Sequence, residues 1–164
     1  IETPTRFSED NTIELQLPFI KYFFDRVRIV PMGVPPAEIA MKIGQAAAKI
    51  SHDLNLRIKV LGSTDLTHYG HNYGFTPKGV GTQAHHWVKN KNDRDVIDAI
   101  LALEAAQVIQ LALNQKNACC SGAVAAAISA AKQLGARQAK EVAYATSYDK
   151  SPGDSFVGYS GIVF

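Results

Sequence analysis

Two short segments of this chain carry residue types whose spacing could support chemistry. In the first, residues 62–71, Asp65 and His68 are three positions apart. On one turn, a carboxylate at that spacing can orient or charge the imidazole, and such a histidine can act as a general acid or base near neutral pH. Their position in a long loop after a predicted strand favours a functional role over a turn-capping aspartate beside a surface histidine.

The second segment contains the adjacent cysteines Cys119 and Cys120, directly ahead of an alanine-rich predicted helix. A thiol at a helix N-terminus is favoured as the thiolate, which is a better nucleophile and metal ligand. The sequence leaves open the alternative that both residues are small buried hydrophobes. Because a disulfide between neighbouring residues is strained, we expect two reduced thiols, and with no signal-peptide pattern we expect a cytoplasmic protein.

A further histidine pair, His85 and His86, is predicted to be loop surface. Adjacent histidines rarely bind one metal ion, and no carboxylate stands at ligand spacing from them. Neither cysteine belongs to a C-x-x-C pair, so a self-contained zinc site is unsupported. The sequence therefore points to one histidine-rich loop and one cysteine segment, which would share a pocket if both lie at the same sheet edge.

The composition is that of a single globular domain. Of the 164 residues, 46% are hydrophobic and 20% are charged. We therefore predict one domain over residues 1–164. The net charge of +2 is too small for the basic surface that nucleic-acid or membrane binding needs, so we expect neither partner.

The elements that must position these residues alternate between helices and strands. Periodicity predicts helices at residues 12–25 (with a kink at Pro18 or a helix that starts near it), 37–52, 93–113 (with Asp93 as N-cap) and 122–134. Runs of β-branched and aromatic residues predict strands at residues 27–30, 57–61, 142–148 and 156–164. Residues 1–11 are predicted to be an extended arm or loop and residues 66–88 a long loop. The alternation predicts an α/β fold with a largely parallel central sheet and flanking helices, closed by an antiparallel hairpin.

Several segments together resemble the Memo-like proteins, also named AmmeMemoRadiSam system protein B. Residues 10–19, DNTIELQLPF, resemble the family segment E-H-S-I-E-x-Q-L-P-F, and residues 63–70, STDLTHYG, resemble S-S-D-L-S-H-Y-G. Residues 119–124 resemble C-G-x-x-x-I, and residues 144–164 resemble the closing Y-x-x-S … V-G-Y strands. These segments occur in the family's order and span nearly the whole chain.

The resemblance implies a fold like that of the class III extradiol dioxygenases, an α/β sandwich with a non-haem metal site. Carried over by residue, it implies Cys119 as a ligand of iron or copper, and His68 with its neighbour Asp65 as catalytic acid–base residues. Within the matching and adjoining positions, we expect Tyr69, His71 and Asn11 to contact substrate, which would be a small molecule or peptide of unidentified class.

Two departures from the family pattern shape the functional hypotheses. The family's two metal-binding histidines belong to an N-terminal half, so this chain looks like an incomplete, C-terminal half, and Asn11 stands where the family usually has histidine. The leading hypothesis is a metal-dependent redox or dioxygenase-like enzyme subunit whose site is completed by histidines from another segment or partner chain. The alternatives are a non-catalytic binding or scaffold module that has lost metal chemistry and, less favoured, a hydrolase using Cys119 as nucleophile with His68.

Overall fold

The computed structural model describes residues 10–164, and the chain divides into two compact units, Ile1–Gly33 and Val34–Phe164. In the first unit, α1 (Asn11–Glu14) begins after Asp10, whose side chain accepts a hydrogen bond from the Thr12 N–H at 2.9 Å. Helix α2 (Leu17–Phe23) begins beside Pro18, where a missing N–H costs no helical hydrogen bond. Of the two alternatives predicted at Pro18, the helix that starts near it is confirmed. The predicted extended arm falls mainly on residues 1–9, which lie outside the described residues.

The second unit holds the remaining helices and all the strands that the described residues form. Its helices are α3 (Ile39–Asp53), α4 (Thr82–Trp87), α5 (Asp93–Leu101), α6 (Ala105–Gln115), α7 (Ser121–Gln133) and α8 (Ser147–Lys150). Helices α3 and α7 approach so closely that a Cβ on Gly44 would lie 2.0 Å from the Ala126 carbonyl oxygen. Their contact belongs to a core of buried alanine, valine and isoleucine side chains that also includes α5 and α6. The predicted helices at 37–52 and 122–134 are therefore confirmed to within two residues at each end.

The sheet has three strands, β1 (His68–Gly70), β2 (Lys140–Thr146) and β3 (Ser155–Val163), in the order β1-β3-β2. Both pairings are antiparallel, with Tyr69 opposite Phe156 and Ala145 opposite Tyr159. The mixed α/β class and the closing hairpin are confirmed, whereas the largely parallel central sheet is wrong. In the described residues, β1 and β2 both pair with the same antiparallel neighbour.

Two apolar runs explain the error in sheet type. Residues 27–30 and 57–61 have strand composition but form no strand in the structure. Their larger side chains are exposed, with exposed fractions of 79% for Val30 and 62% for Leu61. A strand needs a neighbouring backbone to satisfy its N–H and C=O groups, and no described residue pairs with either run.

The predicted helix at residues 93–113 is two helices, because Leu103 adopts a left-handed conformation with φ of 59° between α5 and α6. Asp93 is not an N-cap, which corrects a second prediction. A π-helical turn, Val88–Asn92, continues α4 directly into α5, so Asp93 lies inside a continuous helical stretch with its side chain buried. Among the described residues, no helix is long and apolar enough to span a bilayer.

Candidate metal centre

The two segments singled out by their chemistry, residues 62–71 and residues 117–122, are hydrogen-bonded to each other. The Cys119 N–H donates to the Asp65 carbonyl oxygen at 3.1 Å, and the Asp65 N–H donates to the Cys119 Sγ at 3.3 Å. The Cys120 N–H donates to the Thr64 hydroxyl oxygen at 3.0 Å. Loops more than 50 residues apart in sequence are therefore joined by three hydrogen bonds at the start of α7.

This junction brings together three different metal-ligating side chains. One donor atom from each of Asp65, His68 and Cys119 lies within 4.8 Å of the other two. The His68 Nε2 is 3.2 Å from an Asp65 carboxylate oxygen, and these side chains are 35% and 36% exposed. A carboxylate, an imidazole and a thiol form a donor set that suits iron, copper or zinc, so the residues present fit a metal ion. Since Cys119 is exposed, such an ion would be accessible from solvent.

Aromatic rings border the centre on the side of His68. The Tyr73 ring stacks against the His68 imidazole, with centroids 4.9 Å apart and an interplanar angle of 26°. Tyr73 ends a 3₁₀ turn, His71–Tyr73, that follows β1 directly. Burial raises the pKa of Tyr159 on β3, and the Asp65 carboxylate raises it further. The stacked ring restricts how the His68 imidazole can turn.

A buried carboxylate anchors the first of the two loops. The side chain of Asp93 is fully buried and accepts hydrogen bonds from the Thr67 N–H at 3.0 Å, from the Thr67 hydroxyl, and from the Tyr144 hydroxyl at 2.7 Å. Burial raises the pKa of Asp93, while the hydrogen bonds from Thr67 and Tyr144 oppose that rise. A Cβ on Gly158 would lie 2.0 Å from an Asp93 carboxylate oxygen, so this approach requires glycine.

Asn92, next to Asp93, connects the loop that contains Asn117 to the π-helical turn Val88–Asn92. The Asn92 amide donates to the Thr67 hydroxyl at 2.9 Å, and the Asn117 amide donates to the Asn92 carbonyl oxygen at 2.9 Å. Sequence reasoning missed Asn92, Asp93 and Asn117 as supports of the site. No spacing rule identifies them, because the contacts join positions about 25 residues apart.

The predicted substrate-binding residues lie in different surroundings. Tyr69 is fully buried beside Phe156, and its hydroxyl donates to the Gly79 carbonyl oxygen at 2.9 Å. His71 is exposed in the turn after β1, and Asn11 begins α1 in the first unit. The structure thus brings Asp65, His68 and Cys119 together, while the substrate roles of these three further residues remain predictions.

His85 departs from the prediction of loop surface, because it lies in α4 and is largely buried. Its ring stacks on Tyr148 with centroids 4.3 Å apart, and its Nε2 lies 2.9 Å from the Thr146 hydroxyl. Burial lowers the pKa of His85, which a nearby Asp149 carboxylate partly offsets. Within residues 10–164, His85 joins no group of ligand atoms that could hold a metal ion.

Comparison with known proteins shows which family the sequence matches. The model for the Memo-like protein family matches residues 2–163. A MEMO1 family protein of Methanopyrus kandleri is 34% identical over 166 residues, covering 98% of this chain and 53% of the relative. A MEMO1 family protein of Methanocaldococcus jannaschii is 35% identical over 168 residues, covering 97% of this chain and 53% of the relative. The chain therefore spans about half the length of these relatives.

Proposed function

The chain belongs to the Memo-like protein family, and from that premise we propose that it supplies part of a non-haem iron or copper centre in a dioxygenase-like redox enzyme. The observation that carries the proposal is the grouping of Asp65, His68 and Cys119 donor atoms within 4.8 Å of one another. Because the chain covers about half the length of its relatives, we infer that histidines from another segment or a partner chain complete the coordination. We place the enzyme in the reducing cytosol, where the thiols persist.

In this proposal each of the three residues has a distinct role. Cys119 binds the ion through its sulfur, which the Asp65 N–H orients by its hydrogen bond. His68 holds or moves a proton at Nε2, and the Asp65 carboxylate oxygen 3.2 Å from that nitrogen orients the imidazole. A bound iron or copper ion would supply redox chemistry at an open coordination position. Substrate would be a small molecule or peptide that enters beside the stacked Tyr73 ring.

The test is native mass spectrometry with metal analysis of the protein as isolated in its full assembly. We expect about one iron or copper ion per chain and a histidine-bearing partner or segment in the same particle. A His68→Ala variant should bind the ion about 10–100-fold more weakly. His52→Ala is the matched control, because His52 is 90% exposed at the end of α3. A complete, folded assembly that contains no metal and acquires none would contradict the proposal.

A second candidate function is a binding module that has kept the fold and lost the chemistry. Asn11 favours it, because the resembled family segment usually has histidine at that position. The Cys119→Ala and His68→Ala variants separate the two functions. Unchanged biological activity in both variants would support the binding module, whereas loss in both would support the metal enzyme.

A further inference from the structure

We propose that Cys120 joins Cys119 as a second sulfur ligand, so that the two cysteines together chelate a thiophilic cation beside the Asp65–His68–Cys119 group, whose close donor atoms do not include the Cys120 sulfur. The proposal rests on the proposed function only in placing a metal ion at Cys119. The two sulfur atoms lie 3.5 Å apart. Two thiolates that each lie about 2.3 Å from one tetrahedral ion are about 3.8 Å apart, so a small side-chain rotation brings both to bonding distance.

The backbone holds both cysteines in place for such a chelate. The Cys119 N–H donates to the Asp65 carbonyl oxygen at 3.1 Å, and the Cys120 N–H donates to the Thr64 hydroxyl at 3.0 Å. Thr64 in turn donates to the Asp65 carbonyl oxygen at 2.8 Å, which directs its own oxygen toward Cys120. Because the backbone N–H groups of both cysteines are already hydrogen-bonded, binding an ion would need the rotation of two short side chains and no ordering of the loop.

The same geometry favours a shared metal ion over a disulfide between the two cysteines. Neighbouring Cα atoms are about 3.8 Å apart, whereas disulfides usually join Cα atoms at least about 4.4 Å apart. A metal ion between the sulfurs lengthens the bridge and removes that constraint. When Zn(II) binds, two S–Zn bonds form, both thiols lose a proton to solvent, and no atom changes oxidation state.

A second sulfur also changes which ion the centre selects. Thiolates favour zinc and monovalent copper, whereas ferrous iron binds well to mixed imidazole and carboxylate donors. We therefore infer that the centre is more thiophilic than one with a single cysteine ligand.

The experiment is a Zn(II) titration of the chain, wild type against Cys120→Ser, with released protons counted by a pH indicator. Serine keeps the side-chain shape and is a favoured residue at this N-cap position of α7, so the variant should fold. We expect two protons released per Zn(II) in the wild type and one in the variant, with at least about tenfold weaker Zn(II) binding. Fe(II) affinity should change less than threefold.

Phenylarsine oxide gives an independent measurement, because one trivalent arsenic bonds two adjacent thiols and releases one water molecule. Wild-type protein should gain one arsenical and lose both thiols, and Cys120→Ser should gain none that survives desalting. Equal Zn(II) affinity and equal proton release in wild type and Cys120→Ser would overturn the inference. If Cys119→Ser then still abolishes binding, the placing of a metal ion at Cys119, on which the proposed function depends, survives. If neither substitution weakens binding, both proposals fail.

Discussion

Two histidine–aspartate pairs in the second unit have nearly the same local chemistry and opposite surroundings. His68 lies 3.2 Å from an Asp65 carboxylate oxygen and is 35% exposed, beside the Cys119 thiol. His85 lies 3.6 Å from an Asp149 carboxylate oxygen and is 13% exposed, stacked on an aromatic ring. The pairs differ in the third group that each imidazole meets.

That difference assigns a different physical role to each pair. An accessible imidazole and carboxylate beside a thiol can bind an ion or exchange a proton with a ligand. The polar atoms of the His85–Asp149 pair are instead hydrogen-bonded to Thr146. The Thr146 hydroxyl bonds to the His85 ring, and the Asp149 carboxylate accepts from the Thr146 N–H. The proximity of histidine to aspartate is therefore not sufficient to identify a site. The third group and the accessibility decide it.

The largest expected effect comes from removing the Cys119 thiol, which lies beside the His68–Asp65 pair. Cys119→Ala should weaken Zn(II) binding more than about 100-fold, because it deletes a ligand rather than a neighbour of one. Isothermal titration calorimetry would measure this loss. His85→Ala should change Zn(II) affinity by less than about twofold. Equal losses in the two variants would show that the ion is not bound at the Asp65–His68–Cys119 group.

The second effect is on the stability of the fold, and it is expected at His85 rather than at the candidate metal centre. His85→Ala should lower the free energy of unfolding by about 2–4 kcal/mol, because it leaves a cavity beside Tyr148 and Phe156 and removes the hydrogen bond to Thr146. His86→Ala, on the exposed side of α4, should stay within about 0.5 kcal/mol. Urea unfolding followed by circular dichroism would measure both. The assigned structural role would be wrong if the two variants were equally stable.

A smaller effect is expected from removing single tyrosine hydroxyls. Tyr144 donates to the Asp93 carboxylate that anchors the loop before His68, and Tyr148 stacks on His85. Tyr144→Phe removes a donor to the buried Asp93 and should cost about 1.5–3 kcal/mol of unfolding free energy. Tyr148→Phe removes only a long 3.4 Å contact between exposed hydroxyls and should cost less than about 0.5 kcal/mol. Thermal unfolding of both variants would measure the difference. If Tyr148→Phe proved the more destabilising, the buried anchor would not support the first loop as we describe.

The smallest effect is the pH dependence of stability through His85. Burial lowers its pKa, Asp149 raises it in part, and Lys89 and His86 lower it further. The folded state therefore disfavours the charged form, so this contribution is fully present above the ordinary histidine pKa near about 6.5 and is lost as pH falls through the lowered value. His85→Gln should reduce the loss of stability between about pH 7.5 and 5.5.

The control for this measurement is His52→Gln, at a histidine that is 90% exposed. The slope of the unfolding free energy against pH in His85→Gln is compared with the slope in this variant. The Asp149 carboxylate contributes at lower pH, because the hydrogen bond from the Thr146 N–H lowers its pKa and that stabilisation is lost only as pH falls through the lowered value. An unaltered slope in His85→Gln would exclude His85 as the titrating group.

Local sequence was sufficient to predict most helices and the two segments that carry the candidate ligands. The α7 helix ends close to Gly135, which adopts φ of 103°, because glycine reaches that conformation without strain. Asp65, His68 and Cys119 were identifiable because their residue types, their spacing and the family-like segments are all properties of the sequence itself. The closing hairpin was predictable for the same reason, since its turn lies between its two strands.

Tertiary structure alone decided which of these patterns became sheet, core or site. The runs at residues 27–30 and 57–61 read as strands, yet strand formation depends on a backbone partner that composition does not specify. The sequence predicts Asp93 as a helix N-cap. In the structure it is a buried acceptor for Thr67 and Tyr144, because the helix continues from the preceding turn. His85 and His68 differ for the same physical reason. A residue's type is fixed locally, whereas its solvent exposure and hydrogen-bond partners come from segments distant in sequence.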